Sequence, residues 1–86
     1  MDRRKAELRV LNRVKLARVE RGYTQQELAD LIEVTRQTIG LIEAEQYNPT
    51  IIVCLRLARA LHKPLNELFW AEELTRTTIL TNAPQP

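Results

Sequence analysis

The sequence predicts an all-α fold, and three observations carry that expectation. Apolar residues recur three or four apart in short separate stretches, as at Leu28, Ala29, Leu31 and Ile32 and again at Ile39 and Ile42, which gathers them on one side of a helix. Residues that start helices stand ahead of such stretches at Thr24, Thr50 and Pro64. The β-prone segment Thr75 to Thr81 stands alone, and one short strand has no partner inside the chain. Eighty-six residues make one domain at most, with a core suited to four or five short helices.

Taken in order, residues 1–11 form a basic N-terminal extension. Leu8, Leu11 and Val14 are spaced by three, which favours a helix continuous with the next over a loose basic arm. Asn12 to Arg21 reads as the first helix, with Val14 and Ala17 inward and Gly22 closing it. Thr24 starts the second helix, and Glu27 three residues later completes a capping-box pattern. A third helix follows after a tight turn, with Val34 between the two apolar sets. Its outer face carries Thr35, Arg36, Gln37, Thr38 and Leu41, a donor-rich set nearly free of carboxylates. Two short helices held at a fixed angle by a shared core, with such a face on the second, describe a helix-turn-helix.

Residues 44–49 form a loop, and a fourth helix runs from Thr50 to about Leu61. It bears two apolar stripes, Ile51, Cys54, Leu55, Ala58 and Leu61 beside Val53, Leu57 and Ala60, where a surface helix needs one. Pro64 begins a last short helix, Pro64 to Trp70, whose Leu65, Leu68 and Phe69 close the core. The helical domain thus spans 12–70. Residues 71–86 form a short extended C-terminal tail, a candidate dimer strand followed by a flexible end.

Charge is uneven along the chain. Residues 1–21 carry eight Lys/Arg against three acidic groups, within a total net charge of +2, a distribution suited to contact with a polyanion. Arg13 and Lys15 are candidate phosphate neutralisers or simply solvated. No apolar run approaches the ~20 residues of a membrane span, so no membrane association is expected and the expected location is cytoplasmic. A single cysteine, Cys54, permits no internal disulfide. One histidine, His62, with no second histidine or further cysteine, leaves no metal site, and no cofactor is expected. The absence of a glycine-rich phosphate loop and of any nucleophile–base pairing argues against an enzyme.

Arg13-Val14-Lys15, Arg18, Gly22, Thr24 to Ala29, Val34 to Ile39, Ile42-Glu43 and Asn48-Pro49 together resemble the phage repressor and Cro-type (Xre-like) helix-turn-helix transcriptional regulators over residues 12–69. The resemblance implies a five-helix repressor-like DNA-binding domain acting as a dimer on a palindromic operator. It also implies a phosphate contact for Gln25 at a helix N-terminus, where amides and dipole favour an anion; an ordinary exposed first-turn residue is the alternative. An ion pair between Arg18 and Glu43 is implied too, tying the first helix to the end of the third and setting the docking angle.

The third helix would present its N-terminal end to base edges in the major groove. Gln37 is the candidate for direct readout, since an amide makes a bidentate pair with adenine. Arg36 suits guanine or a phosphate. Thr35 and Thr38 suit a phosphate or a thymine methyl, with helix capping as the alternative for Thr35. Leu41 stands where relatives carry a polar reader and suits a thymine methyl or solvent. Tyr47 and Asn48 are phosphate candidates in the following loop, or respectively a core-edge aromatic and a turn residue.

Glu33, Glu45 and His62 occupy positions that are frequently glycine in these domains, where positive φ is unfavourable for a residue with a Cβ. Gly40 departs the other way, lying inside the third helix on a face that would approach DNA. Surplus apolar residues at Val53, Leu57, Trp70, Leu74, Ile79 and Leu80 are candidates for a homodimer interface. The function expected is a sequence-specific regulator of double-stranded DNA, a dimeric repressor reading through residues 35–41. The alternative is an antitoxin or accessory module with a protein partner on the same scaffold.

Overall fold

The computed structural model of the protein describes residues 7–74. They form strand β1 (Glu7–Asn12), helices α1 (Val14–Glu20), α2 (Gln25–Ile32), α3 (Arg36–Glu43), α4 (Ile51–Leu61) and α5 (Leu65–Leu68), then strand β2 (Phe69–Leu74). Three helices start on a threonine in extended conformation whose hydroxyl accepts the amide three residues on: Thr24 from Glu27 at 3.0 Å, Thr35 from Thr38 at 3.1 Å and Thr50 from Val53 at 3.4 Å. At α2 the Glu27 carboxylate returns a bond to the Thr24 amide at 2.8 Å, completing the capping box.

The helix ends repeat one device. After α1, the Tyr23 amide reaches the Arg18 carbonyl at 3.1 Å and the Gly22 amide reaches Val19 at 3.0 Å. The same pair of bonds closes α3, from Gln46 to Leu41 at 2.9 Å and Glu45 to Ile42 at 3.0 Å, and α4, from Lys63 to Ala58 and His62 to Arg59. This closure turns on one left-handed residue. Here those residues are Gly22 (φ 77°), Glu45 (φ 60°) and His62 (φ 55°), and Glu33 (φ 63°) ends α2 likewise. The non-glycine residues therefore adopt the left-handed backbone instead of altering the turn.

One core unites all five helices. Val14 and Ala17 of α1, Leu28, Ala29 and Ile32 of α2, Ile39 and Ile42 of α3, Leu57 and Leu61 of α4 and Leu68 of α5 are buried together. Ala29 has no exposed surface. Among the described residues no helix is long and apolar enough to cross a membrane.

Four expectations need correction. The fold is only approximately all-α, because β1 and β2 pair antiparallel from Glu7 opposite Leu74 to Asn12 opposite Phe69. Residues 7–12 are consequently a strand and not a backward extension of α1. The last helix is shorter than Pro64 to Trp70: it ends at Leu68, and Phe69 and Trp70 belong to the strand. On α4, Leu57 is fully buried in the core and Val53 packs half-buried against it, so Leu57 is not an interface residue. The residues that α4 leaves outside are Ile51, Ile52 and Leu55. The strand expected over Thr75 to Thr81, with Ile79 and Leu80, lies outside the described residues, as does the flexible end.

His62 offers a clean measure of the left-handed positions. It is exposed and makes no side-chain hydrogen bond to a described residue. Glycine adopts φ 55° without steric cost. His62→Gly is expected to raise unfolding stability by about 1 kcal/mol, read as a higher denaturant midpoint at unchanged slope.

Candidate nucleic-acid interface

α3 is two turns long, so its orientation depends on what holds its ends. Its start is closed by the Thr35 hydroxyl, which also shares a hydrogen bond with the Thr38 hydroxyl at 2.9 Å. Ile39 and Ile42 fix its inner face in the core. Its last residue, Glu43, meets Arg18 of α1 in an ion pair with Nε to Oε2 at 2.7 Å and Nη2 to Oε1 at 3.3 Å. Both side chains are largely shielded, at 12% and 5% exposure. Arg18 also donates to the Tyr23 carbonyl at 2.8 Å, so one guanidinium serves α1, the α1–α2 corner and α3.

Gln25, at the start of α2, enters the same network. Its Nε2 donates to Glu43 Oε1 at 3.1 Å, and its Oε1 accepts from Arg36 Nη1 at 3.4 Å. It therefore bridges the buried pair to the exposed start of α3. Gly40 lies beneath this bridge: a Cβ built there would meet Gln25 Nε2 at 3.9 Å, an ordinary contact. Gly40 faces Gln25 and is half-buried, which gives its lack of a side chain a protein neighbour.

The outer surface then resolves residue by residue. Arg36 and Gln37 are exposed, Thr35 is exposed, and Thr38 and Leu41 are half-buried. Gln37 makes no side-chain hydrogen bond to any described residue, so both its donor and acceptor remain available. Tyr47 and Asn48 are exposed in the loop after α3. On α1, Arg13 stacks over the Trp70 ring at 4.7 Å and Lys15 is exposed.

A second set of contacts reaches the end of α3 from β1, on residues to which sequence reasoning gave no site role. Asn12 Nδ2 donates to the Ile42 carbonyl at 2.8 Å, and Asn12 Oδ1 accepts from the Val14 amide at 3.0 Å. The Asn12 amide donates to Glu45 Oε2 at 3.4 Å, while Arg9 Nη2 pairs with Glu45 Oε1 at 3.2 Å. The signal in the sequence was an asparagine just ahead of an apolar helix start. Its second partner lies thirty residues away.

Among the described residues no cluster of His, Cys, Asp and Glu can hold a metal. Burial pushes the Cys54 thiol above its ordinary value, which keeps it protonated and unreactive at neutral pH.

Known proteins resemble this chain in sequence and fold. A family model described as helix-turn-helix matches residues 14–68. The HTH-type transcriptional regulator YgzD of Bacillus subtilis is 37% identical over 62 residues, spanning 72% of this chain and 94% of that protein. An HTH-type transcriptional regulator of Methanothermobacter thermautotrophicus is 44% identical over 57 residues, spanning 65% of this chain and 83% of that one. Among solved structures, the restriction-modification controller protein C.AhdI of Aeromonas hydrophila superposes with a TM-score of 0.60 at 31% identity, covering 63% of this chain and 82% of its own. The hypothetical transcription factor NHTF of Neisseria shares the fold at a TM-score of 0.60 and 24% identity, over 81% of this chain and 76% of its own.

Truncating Arg18 would leave the Glu43 carboxylate shielded from water without its cation. Arg18→Ala is expected to destabilise the domain by ~3–5 kcal/mol, seen as a large fall in the thermal midpoint. A melt matching the parent protein would show that the pair contributes nothing.

Proposed function

The chain belongs to the helix-turn-helix family, and from that premise we propose that it is a sequence-specific transcriptional regulator, a dimeric repressor reading a palindromic operator. Residues 35–41 of α3 enter the major groove. The observation that carries this reading is the outer face of α3, donor-rich and free of carboxylates, on a helix whose far end is locked by the shielded Arg18–Glu43 pair. A fixed reading face is what base discrimination requires, since phosphate contacts alone carry no sequence information.

The residue roles follow from what each side chain has free. Gln37 is unbonded to the described residues and takes an adenine edge through its amide. Arg36 is held by Gln25 at 3.4 Å, a long bond that a guanine edge or a phosphate displaces. Gln25 keeps one amide hydrogen for a phosphate while the other goes to Glu43. The Thr35 and Thr38 hydroxyls are spent on capping and on each other, so their methyl groups, with Leu41, suit thymine methyls. Tyr47 and Asn48 donate to the backbone of the DNA from the loop.

Dimerisation uses the apolar surface that α4 leaves outside, Ile51 (65% exposed), Ile52 (51%) and Leu55 (48%); of the interface expected at Val53, Leu57, Trp70, Ile79 and Leu80, Leu57 is excluded by its place in the core. A two-fold protein matches a two-fold operator with half-sites about one DNA turn apart. The same patch supports the second reading, an accessory module or antitoxin that engages a protein partner.

Selection of bound sequences from a random DNA library is the deciding experiment. An enriched palindrome, bound with a steep inverse dependence on salt, is expected; enrichment of no sequence would leave only the interaction-module reading. On the enriched site, Gln37→Ala is expected to cost about 1–3 kcal/mol and to relax preference at one position per half-site. Equal loss on all sequences would make Gln37 a backbone contact only. Leu55→Glu is expected to convert a dimer to a monomer in light scattering at micromolar concentration. A parent protein already monomeric there would remove the dimer from the proposal.

A further inference from the structure

We infer that the β1 strand is a positioning device for the recognition helix, with Asn12 and Glu45 fixing the end of α3 so that it discriminates between bases. This inference rests on the regulator reading above. It concerns residues that touch no base.

Asn12 is the pivot because an amide side chain offers a donor and an acceptor in opposite directions. Its Oδ1 takes the Val14 amide at the start of α1, and its Nδ2 takes the Ile42 carbonyl in the last turn of α3. The residue therefore joins the first amide of α1, an orphan donor, to the last turn of α3, where the Ile42 carbonyl accepts from both Asn12 and the Glu45 amide. An aspartate would satisfy the first and repel the second.

Glu45 gives the second observation. It sits at φ 60°, where glycine would be free of steric cost. Its carboxylate is used twice, for the Asn12 amide and for Arg9. The backbone of β1 is thus bonded to the residue that closes α3. His62, at nearly the same φ, has no such side-chain bond to a described residue. The strand in turn is anchored away from α3: Arg13 continues the ladder by donating to the Leu68 carbonyl at 2.9 Å, and its guanidinium covers Trp70 of β2.

Residues 7–12 lie outside the segment matched by the helix-turn-helix model, which begins at residue 14. The strand that carries the brace thus lies beside the matched domain, while Glu45 lies within it. Arg18 grips α3 at Glu43 from one side, and Asn12 grips the preceding carbonyl from β1. A second grip on the same turn restrains rotation of α3 about its axis further than the ion pair does alone. Freedom of that kind reduces the penalty for a wrong base more than it reduces contact with phosphates.

Two substitutions isolate the brace. N12D keeps the acceptor for Val14 and removes the donor to Ile42; E45G removes both carboxylate bonds while suiting the left-handed backbone. Amide hydrogen exchange over residues 43–46 is expected to quicken in both variants at parental helix content. The ratio of affinities for the library-enriched DNA and for a scrambled duplex, at one salt concentration, is expected to fall by roughly 2- to 30-fold with the salt slope unchanged. E45Q, which retains an oxygen for the Asn12 amide, is expected to keep most of the ratio. Parental exchange and a parental ratio in N12D and E45G would overturn the inference. If the unmodified chain prefers no DNA sequence, the regulator reading fails, and the exchange measurement still decides whether β1 restrains α3.

Discussion

The Arg18–Glu43 pair is the interaction on which the arrangement of this domain depends. Taking both charges out of water is expensive, and attraction offsets that cost only where the remaining donors and lone pairs are satisfied. Here they are. Arg18 divides its donors between two carboxylate oxygens and the Tyr23 carbonyl, and Glu43 receives a further bond from Gln25. No buried side-chain nitrogen or oxygen among the described residues lacks a partner. Such a pair is satisfied in one geometry only, so it selects a single angle between α1 and α3 more than it adds net stability.

That selection matters because the helices are short. An eight-residue helix has too few side chains in the core to define its own rotation, and α2 and α3 are both of that length. The left-handed closures complement the pair by making each corner tight. At Glu33 the chain leaves α2 and, within three residues, is capped by Thr35 at the start of α3. Backbone strain is accepted at Glu33, Glu45 and His62 in exchange for corners in which few conformations compete. Among contacts between described residues, only the Glu45 side chain also joins its corner to another element.

How much of this was legible follows from distance along the chain. The capping box at Thr24 and Glu27 and the caps at Thr35 and Thr50 are written within three residues, and the helix starts were readable there. The β1–β2 pair was not, because Asn12 and Phe69 meet across nearly the whole domain. Leu8, Leu11 and Val14 satisfy a helical spacing, while Leu8 and Val10 equally share one face of a strand; only the partner decides. On α4 every position from Ile51 to Leu55 is apolar, so periodicity does not tell the inward set from the outward one. The core chose Cys54, Leu57 and Leu61, three and four apart, and left Ile51 and Leu55 outside. Arg18 and Glu43 were nameable by family resemblance, but the extension of their network through Gln25 to Arg36 depends on side-chain placement that no spacing encodes.

That extension changes what the reading surface is. Exposed donors on α3 suggest independent readers, yet Arg36 is joined through Gln25 to the same carboxylate that holds Arg18. Gly40 lies beside this bridge, where a Cβ would meet the Gln25 amide at an ordinary 3.9 Å. Of the outward side chains, Gln37 alone among Arg36, Gln37, Thr35 and Thr38 is unbonded to a described residue. A side chain that must break an internal bond to meet DNA gains only the difference between the two, whereas an uncommitted amide exchanges water alone. On the proposed reading, discrimination concentrates on the contact of Gln37, with Arg36 adding affinity where DNA supplies a better acceptor than Gln25. The same reading makes that single amide selective through its placement one residue inside a capped helix whose end is held by Arg18.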